Sequence, residues 1–133
     1  MKAPLIAFFI LEILFFIVGL SNIFVFKISR KAFVLFSPLI VTGILGLILL
    51  VLTMRYQVSG TLRVFLLLAG TAPSAMFISI LLHNLISGAI MKITGGDFED
   101  AIFFILAIFV CPAAFIAGTV GTIVLMIKNA IVR

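Results

Sequence analysis

Charged residues are scarce in this chain: they make up 10% of its 133 residues, against 65% for hydrophobic residues. Soluble domains are about one quarter charged and about half apolar. A chain this short could not bury so much apolar surface in its own core, because small domains leave a large part of their surface exposed. The composition therefore argues against an ordinary soluble domain and indicates a surface that faces lipid.

Cysteine and histidine occur once each, as Cys111 and His83. A single cysteine excludes an intramolecular disulfide, and one Cys with one His cannot form a tetrahedral metal site. Cys111 and His83 lie at similar depths from the same membrane surface, so the pair could form a Cys–His nucleophile. No third catalytic group or oxyanion donor accompanies this pair. We therefore expect no enzyme, no cofactor and no metal. None of the three asparagines begins an Asn-x-Ser/Thr acceptor, which fits a prokaryotic protein.

The net charge of +5 does not indicate nucleic-acid binding. A nucleic-acid binder gathers its Lys and Arg residues on one face, whereas here they form short clusters between apolar runs, as in the flanks of membrane helices. One side of a membrane would carry five of them and the other side four, so the count barely decides the orientation: Lys2, Arg55, Arg63, Lys128 and Arg133 against Lys27, Arg30, Lys31 and Lys92. We expect both termini in the cytoplasm.

Four apolar runs are long enough to cross a hydrocarbon core, which takes about 20 helical residues. They cover residues 4–26, 32–54, 64–91 and 101–127. They are too long and too uniformly apolar for the strands of a barrel. The sequence predicts an all-α, antiparallel bundle of four transmembrane helices, with residues 1–133 forming one domain of a multi-pass cell-membrane protein. A cleaved signal peptide is the alternative for the first run, although that run is long and no Ala-x-Ala-like site follows it.

The connection between the third and fourth runs contains two glycines followed by three acids, Asp97, Glu99 and Asp100. The glycines predict a turn. Asp97 is predicted to be the N-cap of the last helix, with Glu99 and Asp100 in its first turn, where carboxylates favour the positive end of the helix dipole. The acids could instead hold a divalent cation, but no companion acids occur in the other loops.

Glu12 is the most informative position, because it lies about 12 Å inside the first apolar run. An acid at that depth costs a few kcal/mol and normally faces the bundle interior or a water-filled cavity. One interpretation is a proton or cation relay. The other is a protonated acid that is hydrogen-bonded across helices, or an acid that reaches towards the membrane interface.

The third run holds a second polar cluster. Ser79, His83 and Ser87 repeat every four residues and share one helix face, with Asn84 beside them. This stripe could line a pathway or provide hydrogen bonds between helices. His83 and Glu12 differ in depth by about 9 Å, so no direct hydrogen bond between them is expected. Pro73, in the same run, predicts a kink.

Small residues form rows at helix spacing that let helix backbones approach closely. In the fourth run one row consists of Ala113, Ala117 and Gly121, and the adjacent row of Ala114, Gly118 and Thr122. The second run has a shorter row of Thr42 and Gly46. These rows predict tight packing, within the bundle or between subunits.

The layout is similar to that of small multidrug-resistance exporters in two respects, namely four helices in a chain of this size and a glutamate in the first of them. Tryptophan is absent and the third run is longer and contains Pro73, so no role is carried over from that family. The hypothesis we favour is a non-enzymatic subunit or accessory partner of a membrane assembly. The alternative is a small homo-oligomeric transporter or channel that uses Glu12.

Overall fold

The computed structural model describes residues 2–28, 32–96 and 100–132, and the side chains of these residues except 19–38. These described residues are 93% helical and contain no strand, which confirms the all-α prediction. Four helices follow one another along the chain: α1 (Lys2–Ile28), α2 (Ala32–Arg55), α3 (Gly60–Thr94) and α4 (Ala101–Ile131).

The ends of α3 are set by glycines. Gly60 and Gly95 both have positive φ values, of 70° and 67°, which glycine adopts without the steric cost that a Cβ imposes. The Gly95 N–H donates to the carbonyl of Met91 and ends the helix. Between these two residues α3 is continuous through Pro73, whose side chain is buried.

The last helix contains a wider turn. Residues Leu106–Val110 form a π-helical segment, in which the N–H of Cys111 donates to the carbonyl of Leu106 five residues earlier. Pro112 follows directly. Proline lacks an N–H and its ring crowds the carbonyl four residues before it, so a wider turn at this point accommodates Pro112 without ending the helix.

Helix α3 is central, because it packs against α2 on one side and against α4 on the other. At both contacts a glycine allows the backbones to approach. A Cβ on Gly46 would lie 2.6 Å from the carbonyl oxygen of Gly70, and one on Gly118 would lie 2.5 Å from the amide nitrogen of Ala69. Helix α1 packs mainly on α2. The main buried cluster contains Phe8, Leu11, Leu49, Val58, Leu66, Ala69, Ala72 and Phe115.

Two of the described helices, Gly60–Thr94 and Ala101–Ile131, are long and apolar enough to cross a membrane. Only 39% and 22% of their most apolar windows are buried inside the bundle, whereas the core helix of a soluble protein would be mostly buried. The apolar part of α2 over Leu39–Arg55 is shorter.

Candidate functional site

Glu12 is linked to α4 by a hydrogen bond. The Thr119 hydroxyl donates to Glu12 Oε1 at 2.7 Å, and the Glu12 side chain is half-buried. One turn further along α1, the rings of Phe15 and Phe115 meet at a centroid distance of 4.5 Å and an angle of 45°. Side chains therefore connect α1 to α4 at two adjacent levels.

A cleft of about 200 Å³ lies between the two helices at this point. Its walls are apolar except for one carboxyl and one hydroxyl group, and consist of Glu12, Phe15, Phe16, Phe115, Ile116, Thr119 and Val120. A carboxyl group in such a cleft can exchange a proton or accept a hydrogen bond from a small ligand. A single carboxylate offers too few ligands for a divalent cation.

His83 and Ser87 act elsewhere in the structure. His83 Nδ1 lies 2.9 Å from the backbone carbonyl oxygen of Asp100, and the Asp100 N–H donates to Ser87 Oγ at 3.3 Å. Since a carbonyl only accepts, Nδ1 carries the proton in this contact. The His83 ring also packs against Phe104 at 5.6 Å. His83 and Ser87 thus hold the start of α4 against α3.

The predicted cap of α4 needs a correction, because Asp100 is the N-cap residue. Its carboxylate accepts hydrogen bonds from the N–H groups of Ile102 and Phe103 at 3.3 and 3.4 Å. Asp100 had been predicted to lie inside the first turn, and Asp97 to be the cap. The helix itself begins at Ala101, as the predicted run 101–127 does, and His83 and Ser87 contact the backbone of Asp100 directly before it. Asp97 and Glu99 lie outside the described residues.

The remaining members of the predicted polar cluster do not join this contact. The Asn84 side chain is exposed and its Nδ2 donates to the carbonyl of Ile80 at 2.8 Å, within its own helix. Ser79 is buried, with 6% of its surface exposed. His83 and Ser87 therefore belong to one contact, because both bind the backbone of Asp100. Glu12 belongs to a different contact, with Thr119.

The structure separates the two small-residue rows of α4. Gly118 and Thr122 are buried and Ala114 is half-buried beside the core, so this row faces the bundle. In the other row Ala113 and Ala117 are exposed, while Gly121 lies against the ring of Phe65. On α2, Gly46 packs against α3, and Thr42 is buried, with its hydroxyl donating to the carbonyl of Leu39.

Two contributors were missed in the sequence. Thr119 provides the partner of Glu12. Ser74 is buried between α2 and α3, where its hydroxyl lies 3.0 Å from the carbonyl oxygens of Gly43 and Gly70. Ser74 stands in a run of small residues around Pro73, which is the only signal that could have pointed to a close helix contact.

Within the described residues, no three His, Cys, Asp or Glu side chains are grouped so that they could hold a metal ion. Cys111 is a free, buried thiol on α4. Comparisons with protein families, with curated proteins and with solved structures find no match to this chain.

Proposed function

We propose that this chain is a four-span protein of the cell membrane and serves as a non-enzymatic subunit or accessory partner of a larger membrane assembly. The membrane location is supported by the low burial of the two long apolar helices. The outer face of α4 carries large apolar side chains that water would disfavour, among them Ile116, Val120, Val124 and Ile127.

The observation that carries the subunit role is the outward position of Ala113 and Ala117. They lie one turn apart on α4 and both are exposed. The adjacent row of the same helix, through Gly118, already brings α4 into backbone contact with α3. A second row of small side chains on the outer face lets one more helix approach in the same way, since membrane helices associate through close packing of small residues.

The test is the double substitution Ala113→Leu with Ala117→Leu, in protein extracted from its native membrane. The added side chains keep a partner helix away from the α4 backbone, so chains that co-purify in fixed ratio should be lost while helical content stays unchanged. Ala130→Leu, at an exposed alanine near the end of α4 and on another side of the helix, is the matched control. Retention of the same partners in the double variant would contradict the proposal.

A homo-oligomeric transporter or channel is the second candidate, and the cleft beside Glu12 is the observation that favours it. Glu12→Gln keeps an oxygen that accepts the Thr119 hydroxyl but removes the exchangeable proton of the acid. A proton-coupled carrier should lose coupling in this variant, measured as pH-driven flux in proteoliposomes. A subunit should keep its partners and its stability.

A further inference from the structure

The outer face of α3 carries a second polar position that the proposed function does not use. Asn84, Gly88 and Lys92 follow one another at four-residue spacing and share one helix face near the C-terminal end of α3. Asn84 and Lys92 are exposed. An amide on an outward, otherwise apolar helix surface costs free energy in lipid unless it finds a partner.

Two adjoining cavities lie along this face and meet at Asn84. The outer one, of about 340 Å³, is lined by Asn84, Leu85, Gly88, Ala89 and Lys92. The inner one, of about 400 Å³, lies between α2 and α3 and is lined by Ile40, Phe77, Ile80, Leu81 and Asn84. Together they form a groove, which we call the α3 groove, that is cationic at its outer end and apolar along its depth.

Gly88 keeps the groove open. Among the residues whose side chains the structure describes, no atom lies within 4 Å of the position that a Cβ on Gly88 would occupy, whereas Gly46 and Gly118 are pressed against a neighbouring helix. Within this described part, Gly88 makes no close contact with a neighbouring helix. Its missing side chain instead leaves space between Asn84 and Lys92.

The polar groups of the groove are placed for a phospholipid. Lys92 lines the same cavity as Gly88 and Asn84, one and two turns nearer the N-terminus, which is the direction in which helical side chains lean. Asn84 Nδ2 uses one N–H on the Ile80 carbonyl and keeps a second for an ester carbonyl. The ammonium of Lys92 matches a phosphate, and the apolar wall at Phe77 and Leu81 matches an acyl chain.

We propose that the α3 groove binds one anionic phospholipid, with the headgroup phosphate at Lys92, an ester carbonyl at Asn84 and an acyl chain along Phe77. The inference rests on the proposed membrane location, but not on the subunit role. The positive charge of the groove selects the lipid class. One Lys raises the affinity for a lipid with an anionic headgroup about fivefold over that for a lipid with a zwitterionic headgroup.

The experiment is native mass spectrometry of the full chain, purified from a membrane fraction, with added dioleoyl phosphatidylglycerol or dioleoyl phosphatidylcholine. We expect about fivefold higher occupancy by the phosphatidylglycerol. Lys92→Gln should bring the ratio to about one, whereas Lys128→Gln, exposed near the end of α4, should leave it unchanged. Gly88→Leu should fill the groove and lower the occupancy by both lipids, whereas Ala75→Leu, exposed on the same helix, should not.

Three results would overturn the lipid site: equal binding of both lipids by the unmodified protein, glycerol 3-phosphate competing as well as the lipid, or Gly88→Leu changing the oligomeric mass instead of the lipid count. The first removes the headgroup preference, the second indicates a free phosphate, and the third indicates that a second copy of the chain covers the groove. If the protein did not fractionate with membranes, that result would instead count against the proposed membrane location.

Discussion

Thr119 on α4 donates a hydrogen bond of 2.7 Å to Glu12 on α1. These residues are 107 positions apart in the chain, and their contact joins the first helix to the last. Because the carboxyl has a partner inside the bundle, part of the cost of placing an acid in an apolar environment is offset. The hydrogen bond thus gives Glu12 a structural role, which is to join α1 to α4. The cleft beside the carboxyl group is the feature that a proton-exchanging role would use.

Replacing Thr119 with valine should weaken the bundle by about 0.6 kcal/mol and by no more than about 1.7 kcal/mol, the range measured for hydrogen bonds between membrane helices. Valine keeps the shape and removes the donor. The matched control is Thr71→Val on α3, because the exposed Thr71 hydroxyl donates to the Leu68 carbonyl of its own helix. Unfolding in mixed micelles, followed by circular dichroism, measures both, and equal losses would show that the bond adds no stability.

Adding one methyl group at Gly46 should be costly. Its Cβ would lie 2.6 Å from the Gly70 carbonyl oxygen, which is backbone and cannot move aside without shifting α3 against α2. Gly46→Ala should therefore lower the free energy of unfolding by about 1–3 kcal/mol, as overpacking does. Gly88→Ala, whose added methyl group meets no described side chain, should be neutral or stabilising by up to about 1 kcal/mol because alanine favours helix. Similar effects at the two sites would contradict the close α2–α3 contact.

Asp100→Ala should release the first turn of α4. The carboxylate accepts from the N–H groups of Ile102 and Phe103, and loss of such a cap costs about 1 kcal/mol. Hydrogen exchange at these two amides should speed up in Asp100→Ala and stay slow in Asp100→Asn, which keeps an acceptor. If Asp100→Ala leaves both amides protected, another residue caps the helix.

Cysteine labelling tests whether α3 crosses the membrane. At 35 residues α3 is about 52 Å long, which exceeds a hydrocarbon core of about 30 Å. Gln57 and Gly96 lie exposed beyond its two ends. In a Cys111→Ser background, Gln57→Cys and Gly96→Cys should therefore react with an impermeant maleimide from opposite faces of the membrane. Labelling of both from the same face would exclude a spanning α3.

The helices could be predicted from the sequence, because apolar runs of this length, bounded by glycine and basic residues, are typical of long helices. The predicted segment 64–91 corresponds to Gly60–Thr94 in the structure, a difference of four residues at one end and three at the other. The π-helical segment before Pro112 was not predicted. The position of a proline shows which backbone hydrogen bond is missing, but it does not show whether the preceding turn widens or the helix bends.

The partners of the polar residues depend on the registration of one helix against another, which local patterns do not contain. Glu12 was recognised from its depth, whereas nothing in the sequence around Thr119 singled it out among the threonines. The shared face of His83 and Ser87 followed from helix spacing, but their role in holding Asp100 required the position of the α3–α4 turn. Likewise, fifteen phenylalanines gave no pattern that marked Phe15 and Phe115 as a pair.

The central claim, that the chain is one subunit of a membrane assembly, is tested most directly by its native mass after extraction from its own membrane into lipid nanodiscs. The account predicts a particle that contains other chains in fixed ratio and loses them in the Ala113→Leu, Ala117→Leu variant. A homo-oligomer or a monomer free of other chains would contradict the subunit role, and the homo-oligomer would favour the transporter built around Glu12.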